Sequence, residues 1–418
     1  MLSGSLRVSG AKNAALPAMA AALLTDEDCV IEDVPHIGDI AIMGNVLRSL
    51  GATVEEVGEK RLKINARDIR SFTAPTELVV QNRASFLVMG PLLARFGEAA
   101  SSPPGGDVIG QRPIDVHLVG FATLGAEISW DGGKYAARAR RLHGAKIFMD
   151  YPSHIGTENL LLAASLAKGT TILRNASGEP EVVCLAEMLN KMGARISGAG
   201  TSTIEIQGVD RLGGTTHRVI PDRIEAGTFA IAAALCGEEV QLHGVVPDHL
   251  DSLLWKLKEV GVPVSCEGDR LTVRRGDCLS ATHVQALPYP GFATDLQAAM
   301  GVLLTQCQGG SIVHERVYDN RLQYANELRK MGGQVEVEGL IARITGPTPL
   351  KGAPVRALDI RSGAALILAG LVAQGVTEVH DIYHLDRGYE SFEERLTGLG
   401  ARIQRVVPEG VVSPVPGA

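Results

Sequence analysis

The sequence predicts an α/β protein of two similar lobes, each made of three repeated units that enclose a buried helix. Three observations carry this expectation. First, one short pattern recurs six times: an apolar residue, two spacers, an apolar residue, Gly, a small residue, a spacer and an apolar residue. Leu47–Val54 is the first copy, and the marker glycines Gly51, Gly125, Gly193, Gly261, Gly332 and Gly400 stand 68 to 74 residues apart. Second, each interval between markers holds a helix that is apolar or small nearly all round, which marks burial on every side. Third, 418 residues exceed a single core, and 45% hydrophobic content supplies more than one.

Each marker reads as the end of an amphipathic helix, a left-handed cap that a missing Cβ permits, and then a strand. A fixed period of this length marks repeated supersecondary units. The apolar helices are expected at Asn13–Leu24, Ala84–Ala94, Glu158–Ala167, Ile224–Cys236, Asp295–Cys307 and Gly363–Ala373. Short β-rich stretches follow them at Cys29–Glu32, Thr170–Arg174, Glu239–His243 and Ser311–His314. Beyond each marker comes an alternating pair broken by Gly, such as Ala194–Gly198 with Thr203–Gln207, which predicts a hairpin. Helices such as Tyr389–Leu399 carry one apolar stripe and a charged face, as surface helices do. One unit is therefore buried helix, strand, loop, surface helix, Gly and hairpin. The lobe boundary falls near Pro221-Asp222, where Asp222 opens the fourth buried helix.

Composition removes several classes. A net charge of −7 argues against a nucleic-acid binder that works through bulk electrostatics. The first residues hold no apolar signal core, and no apolar run approaches the ~20 residues of a membrane span. Cys29, Cys184, Cys236, Cys266, Cys278 and Cys307 are scattered without metal-ligand spacing, so reduced, mostly buried thiols in a cytoplasmic protein are expected.

Charged residues collect in two recurrent places. One is the start of each apolar helix: Lys12-Asn13, Arg83, Thr157-Glu158-Asn159, Asp222-Arg223, Asp295 and Arg361. The other is the loop between the middle strand and the surface helix: Asp33/His36, Asp107/Arg112, Glu179/Glu181, Asp248/His249, Asp319/Arg321 and Asp386/Arg387. Helix N-termini from both lobes facing one cleft would suit anions. Each terminus contributes only ~0.3–1 kcal/mol against about 8 kcal/mol for a micromolar ligand, so Arg and Lys must supply most of the grip. Ordinary caps and solvated loops account for Asp33, His36, Asp248 and His249. Lys12, Arg83, Arg112, Arg321, Arg361 and Arg387 are assigned to a ligand, because a cation at the mouth of an apolar helix has little structural reason to be there. The loop Ser101–Pro113, rich in Gly and Pro, is longer than its counterparts and carries Asp107 and Arg112. Such loops often close over ligands.

Ser9–Pro17, Arg83-Ala-Ser85, Gly90–Gly97, Pro104–Arg112, Arg112–His117, Glu179-Pro-Glu181, Pro221–Thr228, Thr294–Gln297, Asn320-Arg321, Asp359–Arg361 and Asp386–Tyr389 run through nearly the whole chain. Jointly they resemble the enolpyruvyl transferases that act on UDP-N-acetylglucosamine. That resemblance implies two pseudo-symmetric inside-out α/β lobes of three units each, divided as residues 12–220, with the mobile Asp107 loop, and residues 1–11 plus 221–418. It implies transfer of the enolpyruvyl group of phosphoenolpyruvate to the 3′-hydroxyl of UDP-N-acetylglucosamine, the first committed step of peptidoglycan synthesis. The partners are then these two small molecules, with no cofactor, metal, nucleic acid or membrane, and the protein is a monomer or weak homo-oligomer.

By position, the resemblance assigns Lys12, Arg112 and Arg387 to phosphoenolpyruvate and its phosphate. Arg83, Arg321 and Arg361 complete the cationic shell. Asp295 accepts the 3′-hydroxyl proton, Asp359 orients its neighbours, and Asn13 contacts the sugar. Arg112, Pro113, Ile114, Asp115 and Val116, with Val317, hold uridine and sugar. The Tyr151–His154 segment, with Ser153, lies along the nucleotide or diphosphate. Three features depart from the family. Asp107 stands where most members carry Cys, a thiol linked to proton delivery and alkylated by the epoxide fosfomycin, so an active, fosfomycin-resistant enzyme is expected. Pro152–Gly156 places its Gly one residue late, which leaves His154 either a ligand or a loop residue. The N-terminus reaches the Lys12 motif early, which leaves either a missing strand or a start further upstream.

The nearest rival is 5-enolpyruvylshikimate-3-phosphate synthase, with the same lobes and donor. Lys12-Asn13 and Arg112–Asp115 favour the sugar nucleotide. A silent paralogue that only binds, and a six-unit clamp on DNA, are the alternatives from other classes. The clamp needs a basic lumen and has no use for Asp295 beside Arg321.

Overall fold

In the computed structural model of the chain, residues 1–406 are described. The apolar helices form where the pattern places them. They are Lys12–Ala21 with a 3₁₀ turn to Leu24, a 3₁₀ stretch Arg83–Val88 passing into Met89–Phe96, and His154–Ala164. Arg223–Cys236, Gln297–Leu304 behind the 3₁₀ turn Thr294–Leu296, and Ile360–Val372 complete the set. Side chains start several of them. Asp222 accepts the N–H groups of Ile224 and Glu225, Ser153 that of Gly156, and Asn82 that of Ala84. Asp359 and Ser362 form a capping box at Ile360–Val372.

The second helix begins differently from expectation, as 3₁₀ before α. Pro91 has no N–H for an i→i−4 bond and sits in the first turn of Met89–Phe96, where that loss is tolerated. All six marker glycines have positive φ, from 86° at Gly332 to 109° at Gly51. At Gly51, behind the helix Gly38–Leu50, a Cβ would also stand 2.5 Å from the Asp68 carbonyl oxygen.

The strands assemble into small mixed sheets of one plan, a parallel edge strand beside a central strand that continues into an antiparallel hairpin. Thr215–Arg218 pairs parallel with Cys29–Glu32, which joins Arg61–Asn65 and Thr53–Glu56. Lys146–Phe148, Thr170–Arg174, Thr203–Gln207 and Arg195–Ser197 repeat the plan, with Ile196 opposite Ile206 in the predicted hairpin. So do Leu2–Arg7 with Gly237–His243, and His283–Ala286 with Gly309–Glu315. The first strand is therefore present. In the sheet Glu98–Ser101, Lys134–Arg138, Glu127–Asp131 the parallel edge is reduced to a single bridge, Thr73 beside Ala100. Among the described residues the last sheet holds Pro354–Arg356 and Glu378–His380. Residues 401–406 form no strand, and the rest of the hairpin expected after Gly400 lies outside the described residues. Burial alternates along Thr203–Gln207, so one face of that sheet meets the core and the other faces out.

Contacts in space divide the chain into two compact units. The N-terminal unit is Gly10–Gly106 with Arg112–Ile220, and the C-terminal unit is Met1–Ser9, Asp107–Gln111 and the chain from Pro221. Each has its own apolar core, built on three mutually packed helices. The Asp107 segment thus belongs with the C-terminal unit, whereas the sequence division put its whole loop with 12–220. The reason is local: Asn320 N–H donates to the Ile109 carbonyl at 3.2 Å, and Gln111 N–H to Asp319 Oδ1 at 3.0 Å. Gly110, at φ 125°, makes this possible, since a Cβ there would stand 1.9 Å from Asp319 Oδ1.

Among the described residues no helix is long and apolar enough to cross a membrane. All six cysteines are free. Burial pushes the thiols of Cys29, Cys184 and Cys307 up, to about 11, 12 and 12. Cys266 and Cys278 are exposed, so "mostly buried" holds for only half of the set. Cys266 lies on the outward-turned strand Val264–Glu267.

Candidate active site

In the C-terminal unit, the candidate residues gather at the starts of the buried helices. Asp295 lies in the 3₁₀ turn before Gln297–Leu304, and Arg361 is the second residue of Ile360–Val372. Asp295 Oδ1 is 2.8 Å from Arg321 Nη2, and Oδ2 is 2.9 Å from Arg361 Nε. Both arginines are buried, at 6% and 5% exposure, and a buried guanidinium is sustained only by such partners. Arg361 also stacks over the Tyr389 ring at 5.1 Å, and its Nη1 is buried without a hydrogen-bond partner. The Tyr389 hydroxyl is 2.9 Å from Thr228 Oγ1, and burial raises the phenol above its ordinary pKa. Asp359 spends one oxygen on the caps of Arg361 and Ser362, which fixes the helix end that carries Arg361.

Asp107 stands beside Arg387, with Oδ1 2.6 Å from Nη1, and 4.0 Å from His384 Nδ1. Burial pulls the His384 imidazole below its ordinary pKa. The Asp107 charge opposes that shift and Arg387 adds to it. The ring stacks on Tyr383, and its Nδ1 is buried without a hydrogen bond. Val317, half-buried, follows the strand Gly309–Glu315 and donates its N–H to Glu315.

In the N-terminal unit, Lys12 is the first residue of its helix, only 8% exposed, with Nζ 2.6 Å from Asp39 Oδ2. Asn13 is the one residue of that helix that is not buried. Pro17 has no N–H to offer the Asn13 carbonyl four residues back. Arg83 opens the 3₁₀ stretch and donates to the carbonyls of Arg112 and Pro113. Arg112 donates to the Gly105 carbonyl at 3.3 Å. Ile114 and Asp115 start the helix Asp115–Thr123, with Asp115 exposed and Val116 half-buried.

A buried network holds these pieces together. Asn159 Oδ1 accepts from Gly90 N–H at 2.8 Å, and its Nδ2 donates to the Phe86 carbonyl at 3.0 Å and to His117 Nδ1 at 3.0 Å. The amide orientation thereby makes His117 Nδ1 an acceptor and puts the ring proton on Nε2. Burial, with a smaller contribution from Arg83, depresses the His117 pKa to about 3. One side chain thus joins the stretches that carry Arg83, Arg112–Val116 and Ser153.

Ser153 caps His154–Ala164, and at Gly156 a Cβ would meet Val116 Cγ1 at 2.8 Å. His154 starts that helix, with Nε2 3.1 Å from Glu158 Oε1. Burial opposes its charge, yet Glu158, Glu179 and Glu181 outweigh that and lift its pKa above the ordinary value. The structure gives His154 this internal partner.

Asp39, Glu315 and His384 escaped the sequence reading, while Asn159, His117 and Thr294 entered it only inside longer stretches, without a role of their own. The Asn159–His117 and His384–Asp107 contacts join different repeats, and Lys12–Asp39 and Thr294–Glu315 join separate elements of one repeat, none of which a one-dimensional pattern displays. Asp39 alone left a trace, as an acidic residue in a first helical turn where the other face is apolar. A polar cavity of about 460 Å³ lies elsewhere in the N-terminal unit, where its buried helices end, lined by Leu24, Arg95, Phe96, Arg140, Leu166 and Arg211 among others. Arg95 there donates to the Leu23 and Thr25 carbonyls, at the end of the first buried helix, and to the Ala66 carbonyl beyond the strand Arg61–Asn65.

Comparison with known proteins adds an independent line. Residues 1–396 match the family model for EPSP synthase (3-phosphoshikimate 1-carboxyvinyltransferase). A UDP-N-acetylglucosamine 1-carboxyvinyltransferase 2 from Carboxydothermus hydrogenoformans is 52% identical, over 97% of either chain. A UDP-N-acetylglucosamine 1-carboxyvinyltransferase 1 from Caldanaerobacter subterraneus subsp. tengcongensis is 49% identical, again over 97% of each. Among solved structures, the enolpyruvyl transferase NikO from Streptomyces tendae matches with a TM-score of 0.87 and 27% identity, covering 96% of this chain and 95% of that one. EPSP synthase from Acinetobacter baumannii matches at 0.74 and 18% identity, over 95% and 96%, which speaks for the fold alone.

Proposed function

Because the chain belongs to the EPSP synthase family of carboxyvinyltransferases, we propose that it moves the enolpyruvyl group of phosphoenolpyruvate onto the 3′-hydroxyl of UDP-N-acetylglucosamine and releases phosphate. The observation that carries this reading is the 49–52% identity to transferases of that name over 97% of the chain. The reaction runs by addition and elimination. A proton adds to C3 of phosphoenolpyruvate, the oxocarbenium-like C2 is attacked by the 3′-oxygen, and the hydroxyl proton leaves. The tetrahedral ketal then loses phosphate and a C3 proton to restore the enol ether. This chemistry needs a general acid, a general base and cations around the carboxylate and phosphate.

Asp295 is assigned as the base. Two guanidiniums hold its two oxygens, and a carboxylate held in this way supports the role of a preoriented base. Arg387, with Lys12 and Arg112, is assigned to phosphoenolpyruvate and its phosphate. Arg83, Arg321 and Arg361 complete the cationic shell, and the partnerless Arg361 Nη1 supports a role in taking an anionic group. Asn13, Pro113, Ile114, Asp115, Val116, Ser153 and Val317 are assigned to sugar and nucleotide, and Asp359 to fixing the Arg361 helix end.

Asp107 is assigned to proton delivery. That role calls for Arg387 to exchange its carboxylate partner for the incoming phosphate. The protein works as a cytoplasmic enzyme on two small molecules, as a monomer or weak homo-oligomer, and resists fosfomycin because Asp107 replaces the thiol that the epoxide alkylates.

Phosphate release from phosphoenolpyruvate tests the reading. Release that depends on UDP-N-acetylglucosamine, and not on shikimate 3-phosphate, is expected. The reverse dependence, or binding without turnover, would overturn it. Fosfomycin should leave the wild type active and inactivate Asp107→Cys. Stoichiometric inactivation of the wild type would contradict the loop assignment.

A further inference from the structure

Glu315 ends the strand Gly309–Glu315 and is fully buried. Its Oε1 accepts the N–H groups of Val317 at 2.8 Å and Tyr318 at 3.2 Å, and its Oε2 accepts the Thr294 hydroxyl at 2.7 Å. The Thr294 oxygen in turn accepts from Arg321 Nη1 at 3.0 Å. Arg321 Nη2 meets Asp295 Oδ1 at 2.8 Å, and the same guanidinium lies 5.3 Å over the Tyr318 ring. The Arg321 backbone is tied down as well, since Gln297 Nε2 donates to its carbonyl at 3.2 Å and Tyr324 donates to Gln297 Oε1 at 3.1 Å. The contacts close a ring that runs from Glu315 through Thr294 and Arg321 to Tyr318 and back to Glu315.

We infer that Glu315 is a positioning residue for Asp295 and acts through the Thr294 hydroxyl and Arg321, while its other oxygen shapes the Val317 loop. The inference rests on the assignment of Asp295 as the base. A threonine hydroxyl has one proton, and an acceptor-only carboxylate takes it, so the lone pairs of Oγ1 must face Arg321. That sets which Arg321 nitrogen is left for Asp295. A glutamine at position 315 would present an amide N–H to Thr294. The hydroxyl proton would then lose its acceptor and turn toward Arg321, where it opposes the guanidinium.

The test is a kinetic cycle on full-length enzyme with phosphoenolpyruvate and UDP-N-acetylglucosamine. Thr294→Val removes the hydroxyl alone and should lower kcat about 10- to 100-fold, the scale of a small displacement in a catalytic group, with both KM values within about twofold. Thr294→Ser should restore most of the rate. Glu315→Gln should show a similar kcat loss and in addition raise KM for the sugar nucleotide, through Val317. The double variant Thr294→Val/Glu315→Gln should lose no more kcat than the worse single, because both act through one chain of contacts. If Glu315→Gln does not fold, the Thr294 pair decides by itself. Wild-type rate in Thr294→Val, or losses that multiply in the double variant, would overturn the inference. A wild-type enzyme that transfers nothing to UDP-N-acetylglucosamine would instead sink the functional reading, so the two failures are distinct.

Discussion

Asn159 makes three hydrogen bonds with one amide, two to the stretch that Arg83 opens and one to His117. His117 is the titratable end of that network, and a depressed imidazole pKa has a definite consequence for stability. The native state keeps the ring neutral down to about pH 3, whereas the unfolded chain takes a proton near 6.5. Below 6.5 the unfolded state therefore binds more protons, and this contribution, complete above 6.5, is lost as the pH falls toward 3. A slope of about 1.4 kcal/mol per pH unit is expected from this one group. Burial also depresses His217, to about 4, and lowers His384, so the wild-type curve sums several groups. The informative quantity is the difference from His117→Gln, whose amide oxygen still accepts from Asn159. Between pH 6.5 and 5, denaturant unfolding should show the variant with a shallower slope by about one proton. Identical slopes would contradict the assignment.

A second residue-scale prediction concerns Lys12 and Asp39. Asp39→Asn leaves the Lys12 ammonium nearly buried and deprived of this carboxylate, and breaking a buried pair in this way costs about 3–5 kcal/mol. Chemical denaturation should report that loss, and a change under about 1 kcal/mol would mean that solvent reaches Lys12. The cation was legible in the sequence, because Lys at the start of an apolar helix is anomalous. Its carboxylate was not, since Asp39 lies on a different helix and nothing in spacing links the two. Thr294 and Glu315 were illegible for the same reason.

At the scale of elements, periodicity and turn chemistry were legible because both are local. Each glycine of the pattern proved left-handed, though the cap at Gly97 lay outside the pattern, and the apolar runs located the six expected buried helices to within a few residues. Boundaries failed where a special residue intervened. Pro91 converted the expected start at Ala84 into a 3₁₀ stretch. Ser391, at φ 44°, delayed the helix expected from Tyr389 to Phe392–Gly398, which leaves Tyr389 outside it to bond Thr228. Gly51→Ala tests the cap argument. Left-handed backbone at an Ala costs about 1–2 kcal/mol, and the 2.5 Å approach to Asp68 adds a shift of backbone to it. A destabilisation of at least ~2 kcal/mol is expected by denaturant titration, with turnover at saturating substrate unchanged. A neutral substitution would show that the close approach is easily relieved.

On the scale of the whole molecule, the six-fold repeat explains why the two units have one plan, with three apolar helices inside and small mixed sheets around them. It does not distribute the chemistry evenly. Lys12, Arg83 and Arg112 belong to the N-terminal unit, while Asp107, Asp295, Arg321, Arg361 and Arg387 belong to the C-terminal one. Repetition supplied equivalent helix mouths, and substitution at each mouth made them different. The passage of Asp107–Gln111 into the C-terminal unit was invisible in the sequence, because it depends on Asp319 and Asn320 more than 200 residues away.

The most direct measurement is the steady-state rate of enolpyruvyl transfer by Asp295→Asn, with its folding checked by thermal melting. Loss of the base should lower kcat by about 10²–10⁴ while phosphoenolpyruvate and the sugar nucleotide still bind. A folded Asp295→Asn protein that transfers the enolpyruvyl group at the wild-type rate would contradict the account.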